Sequence, residues 1–151
     1  MKNLSLTIVF AFACLFPKFS WAQNANDILG DWYNQEGTAK IHIFMGSNGQ
    51  FKGKYYGKIV WLKEPNKNGK PKVDDLNPDA AKRSRPVIGL NILNDFTYDS
   101  DDKEWTDGTI YDPKNGKTYS CTITKNGDKL NVRGYIGISV IGRTAIWTKA
   151  N

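Results

Sequence analysis

WTDGTIYDPKNGKTYSCTITKNGDKLNVRGYIGISVIGRTAIW, residues 105–147, decides the fold, because nearly every position in it favours an antiparallel strand or a tight turn. Asp112-Pro113-Lys114-Asn115-Gly116 and Asn126-Gly127-Asp128 supply residues that tolerate positive φ or preset a turn, so the chain should reverse twice. Between the turns Tyr119, Cys121 and Ile123 alternate with Thr118, Ser120, Thr122 and Thr124. The next run alternates in the same way, with Leu130, Val132, Gly134 and Ile136 against Lys129, Asn131, Arg133 and Tyr135. A period of two with one apolar face describes a sheet that is packed on one side and wet on the other.

Upstream, the same pattern recurs. Gly30-Asp31-Trp32-Tyr33 reads as a first strand after a short helical turn at Asn26–Leu29, capped by Asn26 or Asp27. Ala39 to Met45 reads as a second, with Ile41, Ile43 and Met45 on one side and His42 and Phe44 on the other. Gln50 to Leu62 is expected to be the longest strand, placing Phe51, Tyr55, Ile59 and Trp61 inside and Lys52, Lys54 and Lys58 in solvent. Glycines 53 and 57 between the inner aromatics suit the taper of a small barrel. Residues 63–85 form the one long irregular segment, where Pro65, Gly69 and Pro71 argue against regular structure and Asn77-Pro78-Asp79 starts one or two helical turns. Val87 to Phe96 is a further strand, and Tyr98 to Asp102 an acidic hairpin tip. The landmarks add up to about eight to ten strands: an all-β, small antiparallel up-and-down β-barrel in a single domain, residues 23–151.

Several motifs resemble a bacterial envelope family, domain of unknown function 2147. They are G-x-I-Y-D-P-x-x-G-K-T-Y-S (Gly108 to Ser120), L-x-V-R-G-Y-I-G (Leu130 to Gly137) and G-R-T-x-x-W (Gly142 to Trp147). Upstream, I-V-W-L (Ile59 to Leu62), N-P-D (Asn77 to Asp79) and R-P-V-I-G-L (Arg85 to Leu90) extend the likeness to essentially the whole chain from Ile28. The resemblance implies a lipocalin-like barrel without an established activity. It also implies a basic residue stacked on the first-strand tryptophan at the closed end, which points to Arg143 over Trp32, with Lys149 as the alternative.

Residues 1–22 read as a signal peptide: Lys2 is the basic start, Leu4 to Phe16 the apolar run, and Ser20-Trp21-Ala22 the cleavage site before Gln23. The run is too short and wrongly flanked for a retained membrane span. An exported protein, periplasmic or secreted, is therefore expected. Removing Lys2 and Lys18 lowers the formal charge from +6 to +4, and the remaining lysines are scattered, so nucleic acid is not expected as a partner. Cys121 alone survives processing, which excludes an internal disulfide, and its place on the apolar face marks it as a core thiol.

Chemistry is mostly missing. His42 is the only histidine and no ligand set surrounds it, so no metal and no cofactor are expected. The aspartates at 99, 101 and 102 lack the glycine and distal glutamate of a calcium loop. There is no nucleophile elbow, phosphate loop or dinucleotide fingerprint, and the adjacent carboxylates Asp74-Asp75 and Asp101-Asp102 do not form a facing pair, so an enzyme is not expected. Two readings remain. One is a barrel binding a small apolar or amphipathic molecule, with Phe51, Tyr55, Trp61 and Tyr119 as candidate walls or, equally, as barrel filling. The other is a structural or interaction module that meets an envelope protein through the 63–85 loop. Within that loop Asp75, Asn77 and Arg85 are the candidate anchors, Asn77 as a cap and Arg85 as the partner of Asp74 or Asp75.

Overall fold

A computed structural model describes residues 23–151 apart from position 139; the expected signal peptide lies outside the described residues. Eight strands close a barrel: β1 (Gly30–Tyr33), β2 (Ala39–Met45), β3 (Tyr55–Leu62), β6 (Asn91–Asp99), β7 (Glu104–Asp112), β8 (Lys117–Asn126), β9 (Lys129–Tyr135) and β10 (Gly142–Lys149). Two short strands, β4 (Asn66–Lys67) and β5 (Lys70–Pro71), form a separate hairpin in the β3–β6 connection. Each barrel strand pairs antiparallel with its neighbour in sequence, and β1 pairs with β10 to close the ring, so the expected up-and-down barrel is what forms.

Turn chemistry explains where strands stop. Gly116 (φ +71) and Gly127 (φ +57) sit in the β7–β8 and β8–β9 reversals, in the left-handed region that glycine occupies without strain. The same rule finds a hairpin inside the segment expected to be irregular. Asn68 (φ 52) and Gly69 (φ 74) form the Asn-Gly turn between β4 and β5, which the neighbouring prolines masked.

Two expected strand limits and one helix cap shift. Gly49 and Gly53 both take positive φ, so Phe51 falls in a 3-10 turn, Gly49–Phe51, and β3 starts only at Tyr55. Residues 87–90 form a turn through Gly89 (φ +95) that hydrogen-bonds to Ile59 on both sides, and β6 starts at Asn91. In the long loop the short helix, Ala80–Lys82, is capped by the Asp79 side chain on the Ala81 N–H, whereas Asn77 Oδ1 accepts from the Asp79 N–H just before it.

Inside, the two halves of the barrel are packed differently. Trp32, Phe96 and Trp105 are fully buried in one half, with Tyr55 and Tyr98 against Trp105. Gly108 leaves the space that the Phe96 ring occupies, since a Cβ there would stand 2.3 Å from Phe96 Cγ. Gly108→Ala should therefore cost about 1–3 kcal/mol by overpacking, read as a drop in denaturation midpoint at unchanged m-value. Cys121 lies opposite Gly108 on β8, and burial pushes its thiol up to about 12. It should resist iodoacetamide at neutral pH until the barrel unfolds, a difference readable by mass spectrometry.

Candidate functional site

One end of the barrel is stoppered. The 3-10 turn Ala25–Ile28, capped by Asn24, lies across it, and side chains from around the ring donate hydrogen bonds into the segment. Trp32 Nε1 reaches the Ile28 carbonyl at 2.8 Å and Trp105 Nε1 the Ala25 carbonyl at 3.1 Å. Tyr98 Oη donates to the Gln23 carbonyl at 3.1 Å, and Tyr55 Oη to Asn26 Oδ1 at 3.2 Å. Lys149 completes the set. Its Nζ donates to the Leu29 carbonyl at 2.7 Å and stands 4.5 Å from the centre of the Trp32 ring. Backbone carbonyls that would be orphaned over a dry core are thus satisfied.

The cation over Trp32 is Lys149 and not Arg143, because register decides it. Trp32 pairs with Lys149, whereas Arg143 pairs with Gly134 at the far end of β10. Six residues of strand separate the two, about 20 Å at ~3.3 Å per residue. Arg143 is exposed and lines the opposite, open end.

That open end leads into a cavity of about 1820 Å³. The β1–β2, β7–β8 and β9–β10 loops and the long β3–β6 connection surround its mouth. Ile41, Ile59, Ile92, Ile110, Val132 and Trp147 line it, each projecting from a barrel strand. Basic residues outnumber acidic ones around the mouth, and Lys63, Lys70, Lys114 and Arg143 have no carboxylate within ion-pair distance among the described residues.

Of the four aromatic residues expected to form walls, only Tyr119 lines this cavity. Tyr55 is buried, but at the stoppered end. Phe51 is 49% exposed because its 3-10 turn lies outside the sheet. Trp61 is 40% exposed and packs edge-on against Tyr33, 5.9 Å between ring centres. A β-bulge moved it: Lys40 pairs with Trp61 and Ile41 with Ile59, leaving Val60 as the extra residue. Beyond the bulge Leu62 takes the inner position and lines the cavity.

The long loop is held to the barrel by one buried carboxylate. Asp74, fully buried, accepts from Tyr111 Oη at 2.5 Å, from Asn77 Nδ2 at 2.7 Å and from Arg85 Nε and Nη2 at 3.0 Å each. An antiparallel bridge between Val73 and Pro86 sets Asp74 against Arg85; Asp75 points into solvent and pairs with Lys67 at 3.1 Å. The anchor is thus Asp74 with Asn77 and Arg85, in place of Asp75. Burial pushes the Asp74 carboxyl up, but the hydrogen bonds from Tyr111, Asn77 and Arg85, with the Arg85 charge, outweigh this and hold it below its ordinary 3.8. His42 Nδ1 meets Asp31 Oδ1 at 2.6 Å, and its ring stacks on Phe44. Among the described residues no group of three or more His, Cys, Asp or Glu could hold a metal ion.

The chain matches, over residues 30–149, a family model described as an uncharacterized protein conserved in bacteria, DUF2147. It belongs to that family. Among solved structures it is similar to protein HP1028 from Helicobacter pylori, described as belonging to the lipocalin family. The identity is 22%, the TM-score 0.68, and 83% of this chain and 84% of that chain are covered. The DUF2147 barrel therefore has a lipocalin-like fold. No curated protein matches the chain.

Proposed function

We infer that this DUF2147 protein is a non-enzymatic carrier for a small apolar or amphipathic molecule and works outside the cytoplasm. The observation that carries the reading is the division of the barrel interior. Trp32, Phe96 and Trp105 fill the stoppered half, and mainly aliphatic residues, with Trp147 and Tyr119 among them, line an open cavity in the other. Ligand pockets typically hold ~300–1000 Å³, so the space here exceeds what a drug-sized molecule needs. Aliphatic walls favour a hydrocarbon tail, at about 0.8 kcal/mol for each methylene removed from water. The charged mouth suits a polar head.

The 63–85 loop, the feature behind the alternative of an envelope interaction module, supplies Lys63, Lys70 and Leu76 to the same mouth. That placement supports reading the loop as part of the ligand site. Export rests on the Lys2 to Ala22 pattern and would give a mature protein that starts at Gln23.

Native mass spectrometry of protein purified from the bacterial envelope, followed by organic extraction, tests the reading. A fluorescent long-chain fatty acid should titrate with one-to-one stoichiometry. Ala145 lines the cavity on β10, and Ala145→Trp should weaken that binding by about tenfold or more by filling the space. Absence of both a copurifying molecule and probe binding would sink the proposal.

A further inference from the structure

The β9–β10 connection carries the densest exposed apolar surface among the described residues. Ile136, Ile138, Val140 and Ile141 are 70%, 64%, 81% and 70% exposed in a loop six residues long between Tyr135 and Gly142. The loop is not loose chain: the Ile141 N–H donates to the Ile138 carbonyl at 3.1 Å, and Arg133 Nη2 on β9 reaches the Val140 carbonyl at 3.2 Å while its Nη1 reaches Thr144 Oγ1. Aliphatic side chains are thus presented to water from a braced tip, which folding alone does not require.

We propose that this tip inserts into the interfacial region of a lipid bilayer bearing anionic headgroups, setting the mouth of the cavity against the membrane. Three observations choose that occupant. Four aliphatic side chains at a narrow tip offer a few hundred Å² at most, below the ~800 Å² per partner of a standard protein interface, so a second copy of the chain is poorly held there. Cations share the mouth with the tip and outnumber its carboxylates: Arg143 follows the tip on β10, and Lys63, Lys70 and Lys114 line the same mouth without ion-pair partners among the described residues. An aliphatic tip beside lysine and arginine suits a bilayer surface, where acyl chains take the apolar side chains and phosphates the cations. Finally, Ile136 and Ile141 also line the cavity, so the apolar surface of the tip is continuous with its interior. A hydrocarbon tail could pass between membrane and barrel without crossing water.

The test uses the chain from Gln23, purified and stripped of lipid. In flotation, it should bind vesicles of phosphatidylcholine with about a quarter phosphatidylglycerol more tightly than phosphatidylcholine alone, the difference shrinking in high salt. The double variant Ile138→Ser, Val140→Ser should lose about tenfold or more of that binding. These two residues lie outside the cavity lining, so the melting temperature and the titration with the fluorescent fatty acid should not change. Lys63→Glu with Lys70→Glu should abolish the preference for phosphatidylglycerol. Equal flotation of parent and double variant, or no flotation of either, overturns the proposal. So does a double variant that alters only the oligomeric state, which would assign the tip to a second copy. The fatty-acid titration is read separately, so failure here leaves the carrier reading to stand or fall by itself.

Discussion

Trp32→Ala should destabilise the barrel by about 3–5 kcal/mol, the usual cost of deleting a large buried aromatic side chain. The indole is fully buried, and removing it also leaves the Ile28 carbonyl without its 2.8 Å donor and Lys149 without the ring beneath it. Lys149→Ala should cost less, about 1–2 kcal/mol for a partly desolvated cation–π contact and one carbonyl hydrogen bond. The double variant should lose less than the sum, because both side chains hold the same stopper. Arg143→Ala should leave stability within about 0.5 kcal/mol, since Arg143 is exposed at the other end. Urea denaturation followed by circular dichroism gives all four values, and strict additivity of Trp32 and Lys149 would show that the closure is not shared.

Replacing Asp74 should have an effect of similar size. Asp74→Ala removes the acceptor from the buried Tyr111 and Asn77 donors and leaves Arg85 unpaired; the Arg85 side chain is 40% exposed, so water takes up part of its charge and the cost should be about 2–4 kcal/mol. Asp74→Asn keeps the shape and removes the charge, so it should fall between wild type and alanine. The pH dependence carries a sign. The folded carboxyl titrates below 3.8, so its contribution is complete above that value and is lost as pH falls through the lower folded one. The wild type should therefore lose stability more steeply than Asp74→Asn as pH drops below about 4. Parallel curves would remove Asp74 from the acid transition.

Much of this barrel is legible in the sequence, and the misreadings share a cause. Strands β7 to β9 are joined by short Gly-bearing turns, which fix register locally; the alternation of β8 and β9 survives from Thr118 to Gly134, whereas β7 carries a bulge between Trp105 and Gly108, and Ile136 falls past the end of β9 and is exposed. Pairing of β1 with β10 depends on closing the ring through every intervening strand. No local signal distinguishes Arg143 from Lys149, which share the inner face of β10. Counting in twos from Tyr55 places Trp61 inside, and one bulged residue, Val60, reverses the count. Phe51 fails for a related reason, since Gly49 and Gly53 end the strand rather than taper it. Asp74 and Asp75 are adjacent and chemically identical, and the Val73–Pro86 bridge alone selects between them. The aliphatic cavity lining is legible in the alternation of β2, β9 and β10, through Ile41, Val132 and Ala145.

A barrel stoppered by a hydrogen-bonded turn at one end has a single door. Whatever occupies it must leave by the route it came in, and a second molecule cannot push the first out from behind. Exchange is then a queue at one opening: the outgoing step sets the rate, and adding more competitor changes the final occupancy but not the pace of displacement. Stopped-flow displacement of a bound fluorescent amphiphile should accordingly give one rate constant at every competitor concentration. A rate that climbed with competitor would mean that the Ala25–Ile28 stopper opens as a second door.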